Sequence, residues 1–349
     1  MHIPIVELQF SEEEKRAVIE ILESKRITRN GWTETFQEEF ASFLGVKHCV
    51  TLCSGTVALY IGLKALGVGK GERVIVPAMS FMATVDAVLL AGGTPITVDV
   101  DEYYTIDLNQ LEDAAKKYKP RVVIPVHLYG QPADMESVMF LSEKYGFFVL
   151  EDCAQAHGAE FKGKKVGAWG HLAAFSFYAS KNVPMGEGGA LTTNHDEIFE
   201  EVKKWIYFGE HPAFNVRITE FQAAIGTLQL RKLKERNERR RNIAHIYNDN
   251  FKDHFVIPKE RSHAYHVYHL YTLRHPKRDE IVKHLQSKGI DARIYYTYLL
   301  HELRNTEHLP TPNAERFKRE VFSIPLHPFL TEEEILYIIE SLKEVVSKA

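Results

Sequence analysis

The chain has 349 residues, of which 45% are hydrophobic and 26% are charged, and its formal net charge is −4. These values are typical of a globular protein with about two domains, and they argue against a bulk attraction to nucleic acid or to an acidic membrane surface. No apolar stretch approaches the ~20 residues that a membrane-spanning helix needs.

The N-terminal segment, MHIPIVELQFSEEEK, lacks the basic start and the apolar core of a secretory signal. The chain has three cysteines, Cys49, Cys53 and Cys153, without a repeating spacing. Such an odd number argues against a disulfide framework and fits a reducing compartment. We therefore expect a cytoplasmic protein.

Amphipathic helices and short apolar runs alternate along the first half of the chain. Ser11 and Glu14 form the pattern of a capping box at the start of the first helix. The predicted helices cover residues 11–25, 35–44, 56–66, 83–90, 108–118 and 135–145, and the predicted strands cover 49–52, 74–76, 95–98, 121–125, 147–150, 173–178 and 190–193. This alternation predicts an α/β fold with a large, mostly parallel central sheet flanked by helices.

The second half of the chain predicts a long helical region followed by a smaller α/β unit. Helices are predicted at residues 218–233, 234–251, 278–288 and from 331 onward, with a strand at 267–274. The basic segment Lys232 to Arg241 carries Glu235 and Glu238 at helical spacing, so we interpret it as a solvated helix face rather than a nucleic-acid patch. A boundary near Arg236 predicts a large domain over residues 1–235 and a smaller C-terminal domain over residues 236–349.

Polar groups are predicted at the carboxyl ends of two strands, where open α/β sheets bind ligands. The Ser54-Gly55-Thr56 turn lies between a strand and a helix, so its N–H groups can bind a phosphate or simply begin the helix. Asp152 directly follows the apolar run 147–150. A buried carboxylate there can hold a protonated ring nitrogen, and a surface acid is the alternative interpretation.

Lys181 lies just past the predicted strand 173–178. Partial burial among Phe175, Phe177 and Tyr178 would lower its pKa, as a Schiff-base lysine requires, and a solvent-exposed lysine is the alternative. A Schiff-base amine and a carboxylate for a ring nitrogen are the two groups that a pyridoxal 5'-phosphate (PLP) enzyme needs most. We interpret the glycine-rich run at residues 186–189 as a tight turn.

Seven stretches carry a resemblance to a known family. They are FASFLGVKHCVTLCSGTVA at 40–58, VIVPAMSFMAT at 74–84, IPVHLYGQPAD at 124–134, EDCAQAHG at 151–158, the segment 175–189, NVRITEFQAA at 215–224 and VFSIPLHP at 321–328. In this order, and over almost its whole length, the chain resembles the PLP-dependent sugar aminotransferases of the DegT/DnrJ/StrS family. The resemblance implies the aspartate aminotransferase (type I) fold and a homodimer.

The resemblance also implies the roles of individual residues. Lys181 would form the Schiff base and move the proton, and Asp152 would pair with the pyridine nitrogen. Arg217 would lie near the carboxylate of the amino donor or near the sugar nucleotide. The other implied cofactor contacts are Gln155 at the phenolic oxygen, Phe81 on the ring face, Gly55, Thr56 and Ser176 at the phosphate, and Asn215 at the phosphate in the neighbouring subunit. Without the family, Phe81 indicates core packing and Asn215 a turn.

Several features depart from the family pattern or suggest other chemistry. The segment IYFGEHPAF at 206–214 is shorter than in many relatives and ends in Phe214 where tyrosine is frequent, which leaves the sugar acceptor open. Ser180 and the residues 183–185 also differ from the residues that the family usually has around the lysine. The histidines at 263, 266 and 269 would alternate along a strand without a carboxylate or cysteine partner, so we predict no metal site. We expect His127 and His157 near the pocket, without a catalytic role.

The sequence as a whole predicts an aminotransferase. An amino acid, expected to be glutamate, would give its amino group to a keto sugar linked to a nucleotide, and the product would be an amino sugar. A keto-cyclitol acceptor is the main alternative. A PLP/PMP-dependent sugar dehydratase is disfavoured because such relatives carry histidine in place of the Schiff-base lysine. A regulatory or sugar-binding protein on the same scaffold is the non-enzymatic alternative.

Overall fold

The computed structural model describes residues 2–28, 31–206 and 215–347. The helices are α1 (Glu12–Ser24), α2 (Trp32–Leu44), α3 (Gly55–Ala65), α4 (Ala83–Leu90), α5 (Leu108–Tyr118), α6 (Met135–Tyr145), α7 (Asp196–Ile206), α8 (Glu220–Arg231), α9 (Leu233–Phe251), α10 (Arg278–Ser287), α11 (Leu300–Arg304), α12 (Pro312–Glu320) and α13 (Glu332–Ser347). The strands are β1 (His48–Leu52), β2 (Arg73–Pro77), β3 (Thr94–Val98), β4 (Val122–Val123), β5 (Phe148–Asp152), β6 (Glu160–Phe161), β7 (Lys164–Lys165), β8 (Leu172–Ser176), β9 (Gly189–Thr193), β10 (Ala264–Tyr265), β11 (Tyr271–Arg274), β12 (Glu307–His308) and β13 (Val321–Ile324). Within the described residues, no helix has both the length and the hydrophobicity needed to cross a membrane.

Eight strands form the central sheet in the order β1-β9-β8-β5-β4-β2-β3-β12. Neighbouring strands are parallel except at β9, which runs antiparallel to both β1 and β8. The predicted mostly parallel sheet with flanking helices is therefore confirmed. Because every strand of this sheet except β9 runs the same way, β1, β2, β4, β5 and β8 end at the same edge of the sheet.

Both faces of the sheet are covered by hydrophobic side chains. In β2, Val74 and Val76 pack into the layer formed with α3 and α4, whereas Ile75 packs into the layer formed with α5 and α6. All three side chains are fully buried. Since successive strand residues point to opposite faces, burial on both faces explains why the strands appear as unbroken apolar runs in the sequence.

A further hydrophobic cluster lies in the C-terminal part of the chain. It contains buried residues of α9, α10, α13 and the antiparallel β11–β13 pair, together with Ile3. Two short strands of this part pair elsewhere: β10 with β6, and β12 with β3 at the edge of the central sheet. We propose that the smaller domain begins within α9, near Arg236, and that these two strands connect it to the large domain.

The predicted strand at 267–274 is wrong in its first half, because only β11 is a strand. Tyr268 has a φ of 45°, in the left-handed region, which ends an extended strand. The backbone N–H groups of Val267 and Leu270 donate instead to the carbonyls of Gly130 and Tyr129. The predicted strand 121–125 shortens to β4, and the sequence interpretation omits α7, α11, α12 and the strands β6, β7, β10, β12 and β13.

Candidate active site

One cavity of about 400 Å³ lies at the edge of the sheet where β1, β5 and β8 end. Seven of the nine predicted site residues line it: Gly55, Thr56, Phe81, Asp152, Gln155, Ser176 and Lys181. The strand ends and the start of α3 bring these residues together from distant parts of the sequence. The cavity is in the size range of small-molecule sites in proteins.

The first turn of α3 forms one end of the cavity. Ser54 caps this helix, because its hydroxyl accepts a hydrogen bond of 3.2 Å from the N–H of Val57. Gly55 lies so close to Ser176 that a Cβ at position 55 would be 2.7 Å from the Cβ of Ser176. Only glycine fits there, and the helix start faces a serine hydroxyl, which is a suitable site for a phosphate.

The glycine-rich turn before β9 packs against the same helix start. A Cβ at Gly189 would lie 2.3 Å from the carbonyl oxygen of Ser54, so this position also requires glycine. Gly186 has a φ of 91°, which favours glycine as well. These contacts agree with the interpretation of the run as a tight turn, and they explain how it holds the α3 start in place.

Asp152, the last residue of β5, is buried in the cavity wall. Its carboxylate accepts hydrogen bonds from the Thr84 hydroxyl at 3.0 Å and from the Ala154 N–H at 3.2 Å. Because the Thr84 hydroxyl uses its hydrogen in the bond to Asp152, it can only accept from Ser80. The Ser80 hydroxyl, 2.8 Å away, is therefore the donor in that pair. Burial raises the pKa of Asp152, and the two hydrogen bonds and the positive charge of Lys181 oppose that rise.

Lys181 lies in the turn after β8, where its backbone N–H donates to the backbone carbonyl of Tyr178 at 2.8 Å. Burial lowers the pKa of the Lys181 amine to about 8, and the negative charge of Asp152 partly opposes this effect. An amine with this pKa is mostly protonated near physiological pH, but roughly one molecule in five carries it in the neutral form, far more than for an ordinary lysine. Lys181 can therefore act both as a nucleophile and as a proton carrier.

Gln155 connects the two halves of the chain above the cavity. Its side-chain oxygen accepts a 2.7 Å hydrogen bond from the N–H of Tyr129, and its amide nitrogen donates to the hydroxyl of Tyr296 at 2.7 Å. Tyr296 lines the cavity, as does Phe81, whose side chain is 53% exposed. Gln155 keeps one further N–H available for a ligand oxygen.

The structure places Asn215 and Arg217 outside this cavity. Both line a second cavity of about 250 Å³, and the Arg217 Nε donates to the Asn215 Oδ1 at 3.1 Å. Both residues are exposed. The shortened segment 206–214 and Phe214, which the sequence interpretation singled out, lie outside the described residues from position 207 onward.

The three histidines at 263, 266 and 269 lie in different environments. His263 is exposed with a φ of 62°, and the buried His266 accepts a hydrogen bond from the Tyr268 N–H at Nδ1. Of the three, His269 alone lines the cavity. Their positions give no shared metal site.

A different trio, His127, Glu151 and Cys153, brings its ligand atoms within 4.8 Å of one another. The Nδ1 of His127 accepts a hydrogen bond from the Ala133 N–H, so its Nε2 carries the proton and donates to Glu151 at 3.1 Å. Glu151 accepts three further bonds from the backbone N–H groups of Gly167, Trp169 and Gly170. These bonds already use the lone pairs that a metal needs, and we infer that the trio fixes the chain beside Asp152.

Several cavity residues were missed by sequence reasoning. Ser80 and Thr84 lie in the stretch 74–84, where two hydroxyls four residues apart at the start of an apolar helix were the available signal. Tyr296 had no such signal, because its position depends on a left-handed turn with a φ of 54°. The other missed residues with polar side chains are Tyr178, Ser180, Glu187, His269, Tyr295 and Tyr298.

Comparison with known proteins assigns the family. The model of the DegT/DnrJ/EryC1/StrS aminotransferase family matches residues 9–343. The chain is 36% identical to the pleiotropic regulatory protein of Geobacillus stearothermophilus, over 99% of this chain and 98% of that protein. It is 34% identical to the dTDP-3-amino-3,6-dideoxy-alpha-D-galactopyranose transaminase of Aneurinibacillus thermoaerophilus, over 97% of this chain and 96% of that one.

A solved structure gives the same result. Streptomyces venezuelae DesV, in complex with a ketimine intermediate, superposes with a TM-score of 0.94 and 33% identity over 100% of this chain and 99% of that chain. The predicted PLP-dependent transferase fold of type I is confirmed. The helix start at Gly55, the amine of Lys181 and the carboxylate of Asp152 also suit PLP in their chemistry. We conclude that this chain belongs to the DegT/DnrJ/EryC1/StrS family of PLP-dependent aminotransferases.

Proposed function

We propose that this enzyme transfers an amino group from glutamate to a nucleotide-linked keto sugar. The proposal depends on one observation: the Lys181 amine and the Asp152 carboxylate face one cavity that also contains the start of α3. A relative that is 34% identical over almost its whole length is named as a transaminase of a dTDP-linked amino sugar, which supports the sugar acceptor.

The residues of the cavity would have separate roles in the reaction. PLP, when bound, supplies an electron sink for the carbon next to the transferred nitrogen. Lys181 would hold the cofactor and then carry a proton between the reacting carbons, for which its pKa of about 8 is suitable. Asp152 would keep the ring nitrogen protonated, and the N–H groups of Gly55 and Thr56 with the Ser176 hydroxyl would bind the phosphate.

The remaining wall of the cavity supports a hydroxyl-rich substrate. Further side chains that can form hydrogen bonds line the cavity, and they include Tyr178, Ser180, Glu187, Tyr295 and Tyr298. Such groups bind sugar hydroxyls directly, whereas an apolar acceptor would leave them without partners. The side chain of Tyr178 is half exposed and therefore accessible to a substrate.

The test is a panel of dTDP-, GDP- and UDP-linked keto sugars and keto-cyclitols, each incubated with the holoenzyme and ¹⁵N-glutamate. We expect transfer of ¹⁵N to at least one nucleotide-linked keto sugar, detected by mass spectrometry. Transfer to a keto-cyclitol alone would replace the proposed acceptor. Loss of a sugar hydroxyl without uptake of ¹⁵N would indicate a dehydratase and contradict the proposal.

We also propose that the active site is shared between two subunits of a homodimer. Asn215 and Arg217 are exposed, lie together in the second cavity and do not reach the cavity of their own chain. An exposed amide and guanidinium held together in this way suit an anionic group brought by a neighbouring molecule. In this proposal Asn215 reaches the cofactor phosphate of the partner, and Arg217 contacts that partner's substrate.

Subunit mixing tests the shared site. Lys181→Ala and Asn215→Ala should each be strongly impaired alone, because every site in either homodimer lacks one group. Refolding the two variants together should restore about a quarter of wild-type activity, since half of the dimers are mixed and each mixed dimer has one intact site. In the control mixture, Arg26→Ala takes the place of Asn215→Ala and checks that refolding itself yields active enzyme. Arg26 is exposed and lines neither cavity. No recovery in the Lys181→Ala and Asn215→Ala mixture would show that each site is complete within one chain.

The pH dependence of cofactor capture follows from the Lys181 amine. The pKa of this amine is about 8, so the neutral form increases as pH rises toward 8 and changes little above it. We expect the rate at which cofactor-free protein captures PLP to rise about tenfold per pH unit below 8 and then to level off. Stopped-flow absorbance measures this rate. A rise that continues beyond pH 10 would indicate an ordinary exposed lysine.

A further inference from the structure

A chain of buried hydrogen bonds leads from α9 to the cavity wall beside Lys181. The Asn237 Nδ2 donates to the backbone carbonyl of His157 at 2.9 Å, and the Asn182 Nδ2 donates to the Asn237 Oδ1 at 3.0 Å. The Asn182 Oδ1 then lies 3.2 Å from the Nδ1 of His269. All four residues are buried, and Asn182 directly follows Lys181.

This chain fixes the tautomer of His269. A carbonyl can only accept, so His157 orients the Asn237 amide nitrogen toward itself and leaves the Asn237 oxygen for Asn182. Asn182 must therefore donate through its nitrogen, and its oxygen faces His269 as an acceptor. The Nδ1 of His269 must carry the proton, and Nε2 keeps its lone pair.

The ring of His269 stays neutral at physiological pH. Burial holds the pKa of His269 well below its usual value, and the positive charge of Lys181 lowers it further. Nδ1 is engaged with Asn182 and His269 lines the cavity, which leaves Nε2 as the ring atom whose lone pair is available to a bound molecule. In the part of the chain that the structure describes, Nε2 has no hydrogen-bond partner.

A neutral acceptor distinguishes between the two substrates that enter this cavity in turn. The carboxylates of glutamate have no proton to donate at neutral pH, and its amino nitrogen is engaged at the cofactor. A sugar has hydroxyl groups next to the reacting carbon, and each can donate a hydrogen bond. We propose that His269 binds, through Nε2, a hydroxyl of the keto sugar and so contributes to specificity in the second half-reaction. This inference rests on the proposed function.

Two replacements of His269 separate this role from a structural one. In His269→Asn, the amide nitrogen can still donate to Asn182 in place of Nδ1, but no acceptor remains at the position of Nε2. His269→Gln is longer and can place its oxygen near the position of Nε2. The experiment measures both half-reactions of each holoenzyme by single-turnover absorbance, with glutamate and with the keto sugar that the panel selects.

We expect His269→Asn to lower kcat/KM for the keto sugar by about 30-fold, because a buried hydroxyl loses its acceptor, and to change the glutamate half-reaction by less than about twofold. His269→Gln should recover most of the loss. Equal losses in both half-reactions, or no loss with the sugar, would overturn the role of His269. If the wild-type enzyme converts glutamate but accepts no panel member, the proposed function fails and the role of His269 fails with it.

Discussion

Replacing Lys181 by alanine is expected to reduce turnover by about 10⁴-fold or more, because the chain loses both its nucleophile and its proton carrier in one change. In the structure the Lys181 amine lines the same cavity as Asp152, and its lowered pKa suits both tasks. Transamination rates measure the loss directly. Borohydride reduction followed by peptide mass spectrometry should locate the PLP adduct at Lys181 in the wild-type enzyme and at no peptide in the variant.

Two controls make the Lys181 prediction specific. Lys181→Arg keeps the positive charge beside Asp152 but offers no free amine, so we expect it to be as inactive as Lys181→Ala. Lys15→Ala removes a solvent-exposed lysine that pairs with Glu12, and it should retain wild-type activity. A small primary amine added to Lys181→Ala should restore part of the rate of proton transfer. Normal turnover by Lys181→Ala would remove this residue from the mechanism.

The central sheet was predictable because its strands are buried on both faces. In β4 and β5 the side chains of Val122, Val123 and Val149 are fully buried, so the sequence shows apolar runs bounded by turns. The helices between them begin at recognisable caps, such as Asp107 and Asp134, whose side chains accept backbone N–H groups. Residues at strand ends, including Asp152, were therefore placed correctly without any knowledge of long-range contacts.

Local patterns failed where tertiary contacts determine the backbone. Tyr129, Tyr268 and Tyr296 all have positive φ values, which tyrosine rarely adopts and which no sequence rule predicts for it. Tyr129 is fixed by the hydrogen bond from its N–H to Gln155, and Tyr296 by the hydrogen bond from the Gln155 amide to its hydroxyl. These turns bring the C-terminal half of the chain over the cavity, and so the substrate side of the site was less predictable than the cofactor side.

Asp152→Asn is expected to lower kcat by about 10³-fold while the protein remains folded. An asparagine has nearly the same shape, but its neutral amide cannot keep a ring nitrogen protonated, so the electron sink is lost. Burial already raises the pKa of Asp152 in the cofactor-free protein, which means that the buried negative charge adds little to stability. Urea unfolding of the cofactor-free variant should therefore stay within about 1 kcal/mol of the wild type.

Replacing the hydroxyl of Thr84 tests the role of Asp152 by shifting the pKa of its carboxylate rather than by removing it. The hydrogen bond from this hydroxyl favours the ionised carboxylate of Asp152, so Thr84→Val should raise the pKa of Asp152 further. The ionised form is lost as pH falls through that pKa, and the acidic limb of the pH–kcat profile should therefore move to higher pH. Thr84→Ser keeps the hydroxyl and should preserve the wild-type profile. An unchanged acidic limb in Thr84→Val, or wild-type turnover in Asp152→Asn, would mean that this carboxylate does not control the ring nitrogen.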